Sequence, residues 1–297
     1  MEIAGITISL RSSIPLTLQA LPPCYEQFVL GSVHPLSDPV IGVNLELGCF
    51  PDTESARMIF DSEQSWALFF DGNDYFMKVR SPSLREPLWI AKFDSSFDNI
   101  TIYCNESTIR REDGSIVALN PLAYPLDQIL LIYILSQKQG AIVHAAGMSM
   151  HGKGYIFPGR SGAGKSTVSR LLLSCETATM LSDDRIIIRK SDSAFRAFGT
   201  PWPGDAGIAE NRSSELNGIF FIHHDSENSI KKLPPSEALR RLMPVTSIPW
   251  YDEKPMSDIL QFCEDLVYAI PAYELFFRPD SSVADFMEKF LLSGPGQ

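Results

Sequence analysis

The stretch Gly159-Arg160-Ser161-Gly162-Ala163-Gly164-Lys165-Ser166 satisfies G-x-x-x-x-G-K-[ST] at every fixed position. A loop of this composition can hold a chain of phosphates. Its glycines let backbone N–H groups turn onto phosphate oxygens, and the N-terminus of a following helix adds partial positive charge. Lys165 brings a point charge to the β- and γ-phosphates, and the Ser166 hydroxyl suits Mg²⁺. The residues from Gly159 through Ser166, with Thr167 behind them, are the expected nucleotide-binding residues. The flanks agree: Tyr155-Ile156-Phe157 reads as a short strand entering the loop, and Val168, Leu171 and Leu172 share one face of a helix leaving it.

Met180-Leu181-Ser182-Asp183-Asp184-Arg185 follows that helix. An apolar strand ending in two acids soon after a phosphate loop sets carboxylates beside the phosphates. Mg²⁺ takes carboxylate, phosphate and water oxygens, and phosphoryl transfer also needs a group to orient and deprotonate the attacking hydroxyl. Two adjacent acids can divide those tasks; the residues alone do not say which takes which. The bland alternative is an Asp-Asp surface turn.

Three blocks carry a family resemblance: Ile142-Val143-His144-Ala145-Ala146-Gly147, then Gly152 to Thr167, then Leu181-Ser182-Asp183-Asp184-Arg185. In order and spacing they resemble the catalytic domain of HPr kinase/phosphorylase and its relatives, from about Asn120 onward. The resemblance implies a PEP-carboxykinase-like P-loop fold and an ATP- and Mg²⁺-dependent kinase that phosphorylates a serine. It places His144 near the γ-phosphate, makes Asp183 the base and puts Asp184 nearer the metal. The second HPr-kinase signature, an acidic-Ile-Arg-Gly stretch, is absent. In its place stands Phe198-Gly199-Thr200-Pro201-Trp202-Pro203-Gly204-Asp205, similar to HPr-kinase-like proteins of peptide-modification cassettes, the SynChlorMet and lasso-peptide kinase types. Pro249-Trp250-Tyr251 and the run from Tyr273 to Pro279 resemble that branch too. These departures leave the acceptor and the reverse phosphorylase activity open, and the phosphate loop does not choose ATP over GTP, because base recognition does not lie in it. Two rival functions stay beside the kinase: a non-catalytic nucleotide-dependent peptide-binding module, and a small-molecule kinase. The hexamers of HPr-kinase relatives make a homo-oligomer compatible with the resemblance.

Single residues have weaker readings. Asp205 could replace the missing signature's acid as a third Mg²⁺ ligand, or be incidental to a Pro/Gly-rich turn. Trp202 could stack on a ring or pack under the loop. His223-His224 lacks a third metal ligand at useful spacing and reads as a strand end in solvent. Arg185 and Arg189 could face phosphates or be ion-paired.

The elements that must position these residues change character along the chain. The first part, 1–119, reads as an antiparallel β-rich domain. Its strands are Val40 to Leu47, Leu88 to Phe93, Ile100 to Cys104, and a hairpin of Trp66 to Phe70 and Tyr75 to Val79 about Asp71-Gly72-Asn73-Asp74. From Asn120-Pro121 the pattern turns helical over Tyr124 to Lys138, and after Gly140 strands and helices alternate as in an α/β unit, 120–297. The formal net charge of −11 among 297 residues opposes a nucleic-acid or anionic-membrane binder. No apolar run is long enough to span a bilayer. The five scattered cysteines, Cys24, Cys49, Cys104, Cys175 and Cys263, fit buried reduced thiols in a cytoplasmic protein. The partner that the HPr-kinase resemblance implies is a protein or peptide bearing an acceptor serine.

Overall fold

The computed structural model describes residues 1–13, 16–17, 21–29, 40–48, 50–97, 99–112, 115–191 and 193–293. It divides into two compact units, Met1–Ile134 and Leu135–Gln297. The first holds β1 (Glu2–Ile3), β2 (Ile6–Ser12), β3 (Leu16–Thr17), β4 (Ile41–Leu47), β5 (Arg57–Asp61), β6 (Trp66–Phe70), β7 (Asp74–Val79), β8 (Trp89–Asp94), β9 (Asn99–Cys104), β10 (Ile109–Glu112) and β11 (Ser115–Leu119). Among the described residues, eight of these form a sheet in the order β1-β2-β4-β9-β8-β7-β6-β5, and β10-β11-β3 form a small second sheet. The β6–β7 hairpin forms where the turn chemistry predicts it. Asp71 Oδ1 accepts the N–H groups of Asn73 and Asp74 at 2.9 and 2.8 Å, and Gly72 sits at φ +107°.

The expectation of an antiparallel sheet is corrected here. The β2–β4 and β4–β9 pairs are parallel, so the sheet is mixed. Alternating apolar residues report which face of a strand is buried, not the direction of its neighbour.

Helix α1 (Leu126–Gln137) starts in this unit. Its Tyr133 ring lies 5.6–6.0 Å from those of Tyr75, Phe93 and Phe97. The carboxylate of Asp127, fully buried, accepts Tyr25 Oη at 2.6 Å and the Gln128 N–H at 2.7 Å, which offsets its desolvation.

The second unit contains β12 (Gly140–Met150), β13 (Lys153–Pro158), α2 (Lys165–Leu172), β14 (Ala178–Ser182), β15 (Arg185–Ser191), β16 (Ala194–Phe198), β17 (Ser213–His224), β18 (Ser229–Leu233), α3 (Pro235–Leu242), α4 (Glu253–Ala269), β19 (Ala272–Phe277) and α5 (Ser282–Ser293). The strands run in the order β13-β12-β15-β16-β17-β19-β18, with β14 beside β12. β13 also pairs in parallel with β17, so β13, β12, β15, β16 and β17 form a closed circuit of pairings. The protein is thus a mixed α/β chain with a β-rich sheet first and a mixed sheet with helices second. Strict strand–helix alternation, as expected from the sequence, is replaced by runs of antiparallel strands, because β16 and β18 add themselves between the expected elements.

Apolar spacing explains the helices. Ile259, Phe262, Cys263 and Leu266 bury one face of α4, and Val168 and Leu172 bury one face of α2. Those two α2 residues join Phe157, Phe220, Leu275 and Phe277 in the core of the unit. The cysteines described are unpaired thiols. Burial pushes Cys104 and Cys263 up to about 12, Cys175 is buried and Cys24 half-buried; Cys49 lies outside the described residues.

The segment 199–210 is fastened to β14 and β15, and this fastening shapes the site. Gly199 N–H donates to Arg212 O at 2.9 Å, and Glu210 N–H to Leu181 O at 3.0 Å. Thr200 Oγ1 donates to Arg185 O at 2.8 Å. A Cβ at position 199 would stand 2.0 Å from Glu210 O and 2.4 Å from Leu181 O, both backbone atoms. Gly199→Ala is therefore expected to destabilise the fold by about 1–3 kcal/mol or more, as overpacking does. A denaturant midpoint unchanged from wild type would contradict this contact.

Candidate active site

The loop of residues 159–164 joins the end of β13 to the start of α2. Gly164, at φ +96°, occupies the N-cap of α2, a backbone state that glycine adopts without a Cβ penalty. Gly159 N–H donates to His144 O at 3.1 Å, and Ala163 N–H to Arg160 O at 3.1 Å. The loop is thereby stitched both to β12 and to itself. The helix it starts gives the N–H groups of its first turn no intrahelical partner.

Four side chains converge beside it. Lys165 is buried, yet its Nζ donates to Gly159 O at 2.9 Å and Arg160 O at 3.3 Å. His144 Nε2 lies 2.9 Å from Lys165 Nζ and 2.7 Å from Asp184 Oδ1. Asp184 Oδ2 pairs with Arg185 Nη1 at 3.0 Å, and Asp184 Oδ1 stands 4.0 Å from Lys165 Nζ. Burial holds His144 below the usual histidine range, and the neighbouring Lys165 ammonium lowers it further against the pull of Asp184; the ring is neutral at pH 7. One ring nitrogen then serves one neighbour at a time: as N–H it donates to Asp184, as a bare nitrogen it accepts from Lys165. Burial likewise lowers Lys165, with Asp184 opposing.

Asp183 points into a different set of bonds. Only 3 % exposed, it accepts the Gly204 N–H on Oδ1 and the Ala206 N–H on Oδ2, each at 2.8 Å. Each oxygen keeps a second lone pair. This clamp brings Asp205, which is exposed, to the rim of the same cleft. The cleft measures about 530 Å³ and is lined by His144, Ser161, Gly162, Gly164, Lys165 and Ser166 on the loop side, with Thr167, Asp183, Asp184, Gly204, Asp205 and His224 completing it.

A family model for "SynChlorMet cassette protein ScmC" matches residues 102–278. The chain belongs to that family. A solved structure similar to it is that of the Hpr(Ser) kinase/phosphatase from Coxiella burnetii, at 12% identity over 51% of this chain and 88% of that one, with a TM-score of 0.31. No curated protein matches the chain. The family match spans the whole cleft, from His144 to His224, together with the strands that carry it.

In this ScmC-family chain the structure gathers His144, Ser161, Gly162, Gly164, Lys165, Ser166, Thr167, Asp183, Asp184 and Asp205 around one cleft. Gly159, Arg160 and Ala163 form the back of the loop rather than its lining; the first two hold Lys165 through their carbonyls. Arg185 is ion-paired to Asp184, and Arg189 does not line the cleft. Trp202 is buried. Among the described residues no group of three or more His, Cys, Asp and Glu side chains could hold a metal. His224 ends β17 and is exposed, as the sequence reading expects, and it also lines the cleft. Its only sequence signal is its place at the end of β17, a strand parallel to β13, which puts the ends of both strands on the same side as the loop.

The donor set suits Mg²⁺ held jointly with phosphates: a hydroxyl at Ser166 and carboxylates at Asp184 and Asp205, too few for an all-protein cage but the usual complement for a phosphate-bridging ion. Among the described residues no helix is long and apolar enough to cross a membrane.

Proposed function

We propose that the second unit is an ATP- and Mg²⁺-dependent kinase that transfers the γ-phosphate to a serine hydroxyl of a protein or peptide. The observation that carries this reading is the meeting of loop 159–164, the buried Lys165 and both aspartates in one cleft. The backbone N–H groups of the loop and of the first turn of α2 bind the phosphate oxygens. Lys165, held by two carbonyls, offsets the charge that grows on the transferring group. The serine oxygen forms a bond to the γ-phosphorus as the bond from that phosphorus to the bridging β–γ oxygen breaks. The serine proton passes to a free lone pair of Asp183, and ADP leaves. His144 orients Asp184 and is itself kept neutral. Mg²⁺, when bound by Ser166 and Asp184 with Asp205 near, neutralises phosphate charge. A cassette protein is in keeping with an acceptor peptide encoded alongside it. The remaining expectations, an acceptor other than nucleic acid or membrane, a cytoplasmic location and a homo-oligomer, belong to the same proposal.

One observation favours a second reading. Both oxygens of Asp183 are already bonded to backbone, and Asp184 is ion-paired, as in a nucleotide-dependent binding module without transfer. Incubation with [γ-³²P]ATP, Mg²⁺ and serine peptides decides between them. Labelled peptide from wild-type protein and none from a Lys165→Ala variant supports the kinase. Nucleotide-dependent peptide binding with no label supports the module, and label on free serine or a metabolite supports a small-molecule kinase.

A further inference from the structure

We infer that His224 is the nucleobase-facing wall of the cleft, stacking on the base of the bound nucleotide; this rests on the reading of the cleft as a nucleotide site. His224 ends β17, which runs parallel to β19 with His224 opposite Phe277. The Phe277 ring is fully buried and lies 4.7 Å from the imidazole, tilted by 42°. The imidazole therefore packs, at a tilt, against a fixed aromatic ring.

The tip of the imidazole rests on the phosphate loop. A Cβ at Gly164 would stand 2.7 Å from His224 Nε2. His224 is exposed and lines the cleft, so it is open to contact from that side. Of the twelve residues lining the cleft only His144 and His224 carry a flat ring. His144 is committed to Lys165 and Asp184. Every other lining residue offers hydroxyl, amide, ammonium or carboxylate groups, which suit the phosphates and metal. A base needs a π-face, and His224 supplies one at the edge of the loop.

The position also gives glycine at 164 a second reason beyond its φ of +96°. Any side chain there would push His224 off the loop and out of the base's path.

The test is equilibrium binding of Mg·ATP and of Mg·tripolyphosphate, which has phosphates and no base, to the full chain as wild type, His224→Ala and His224→Gln. Because the ring is exposed, neither substitution threatens the fold. The inference expects His224→Ala to weaken Mg·ATP about tenfold and to leave tripolyphosphate unchanged. His224→Gln, which keeps a polar group but no ring, should be as weak for Mg·ATP as the alanine variant. Equal losses for both ligands, rescue by glutamine, or no loss for either overturn it in favour of a phosphate contact or of no contact. Wild-type protein that binds neither ligand overturns the nucleotide reading as well, which separates the two failures.

Discussion

Replacing Lys165 with alanine is expected to lower phosphoryl transfer by about 10²–10³-fold, as losing one preorganised electrostatic group does, while the protein stays folded. The fold should tolerate the change because most of the groups left behind keep a partner, and the Gly159 carbonyl belongs to a half-buried residue that water can reach. Asp184 keeps its bonds to His144 at 2.7 Å and Arg185 at 3.0 Å, and Ala163 N–H still donates to Arg160 O. The chemistry should not tolerate it. Lys165 is the buried cation nearest the loop, and its Nζ is held by the loop's own carbonyls at 2.9 and 3.3 Å. A far-ultraviolet spectrum and thermal midpoint near wild type, with transfer lost, is the expected pair of readings. Transfer at the wild-type rate would remove the lysine from the mechanism.

Asp183→Asn should be nearly as damaging to transfer, about 10²–10⁴-fold if this carboxylate accepts the serine proton. Here a structural effect accompanies the chemical one. The asparagine oxygen can keep one of the bonds from Gly204 and Ala206, but the amide nitrogen must face the other N–H. One backbone donor then loses its acceptor at a cost of about 1–3 kcal/mol where it is buried. Hydrogen exchange at Gly204 and Ala206 should quicken while the loop at 159–164 keeps its protection, and Mg·ATP affinity should fall only through loosening of Asp205. Full transfer activity in the variant would sink the base assignment and leave Asp183 as the fastener of segment 199–210 alone.

Much of this was legible in the sequence, and the reasons differ by residue. The loop from Gly159 to Ser166 announces itself because four fixed residue types recur at fixed spacing, and the strand before it and helix after it follow from short apolar periodicity. The β6–β7 hairpin was legible because Asp71 and Gly72 carry turn chemistry in their own side chain and backbone. Strand direction was not: the parallel pairings of β4 with β2 and β9 depend on where the chain returns, which no local pattern encodes. β18, Ser229-Ile230-Lys231-Lys232-Leu233, escaped notice because it is an edge strand with mostly exposed, charged residues. The two hydrogen bonds that Asp183 accepts from Gly204 and Ala206 span some twenty residues of sequence, so the residues alone did not tell the two acids apart. The structure gives them unlike surroundings, one clamped to backbone and one held among His144, Lys165 and Arg185. His224 was hidden for a related reason. Its neighbours in the cleft include the loop that follows β13 and the start of α2, and the parallel pairing of β13 with β17 brings them to the same end of the sheet.

The most direct measurement is a titration of the ¹⁵N-labelled protein with Mg·ATP, followed through the backbone amide resonances. Contact between the loop amides and the triphosphate predicts that the largest shifts fall on 159–167, with smaller ones at Gly204 and Ala206, and that Lys165→Ala suppresses them. Saturating Mg·ATP that leaves the amides of 159–167 unmoved would contradict it.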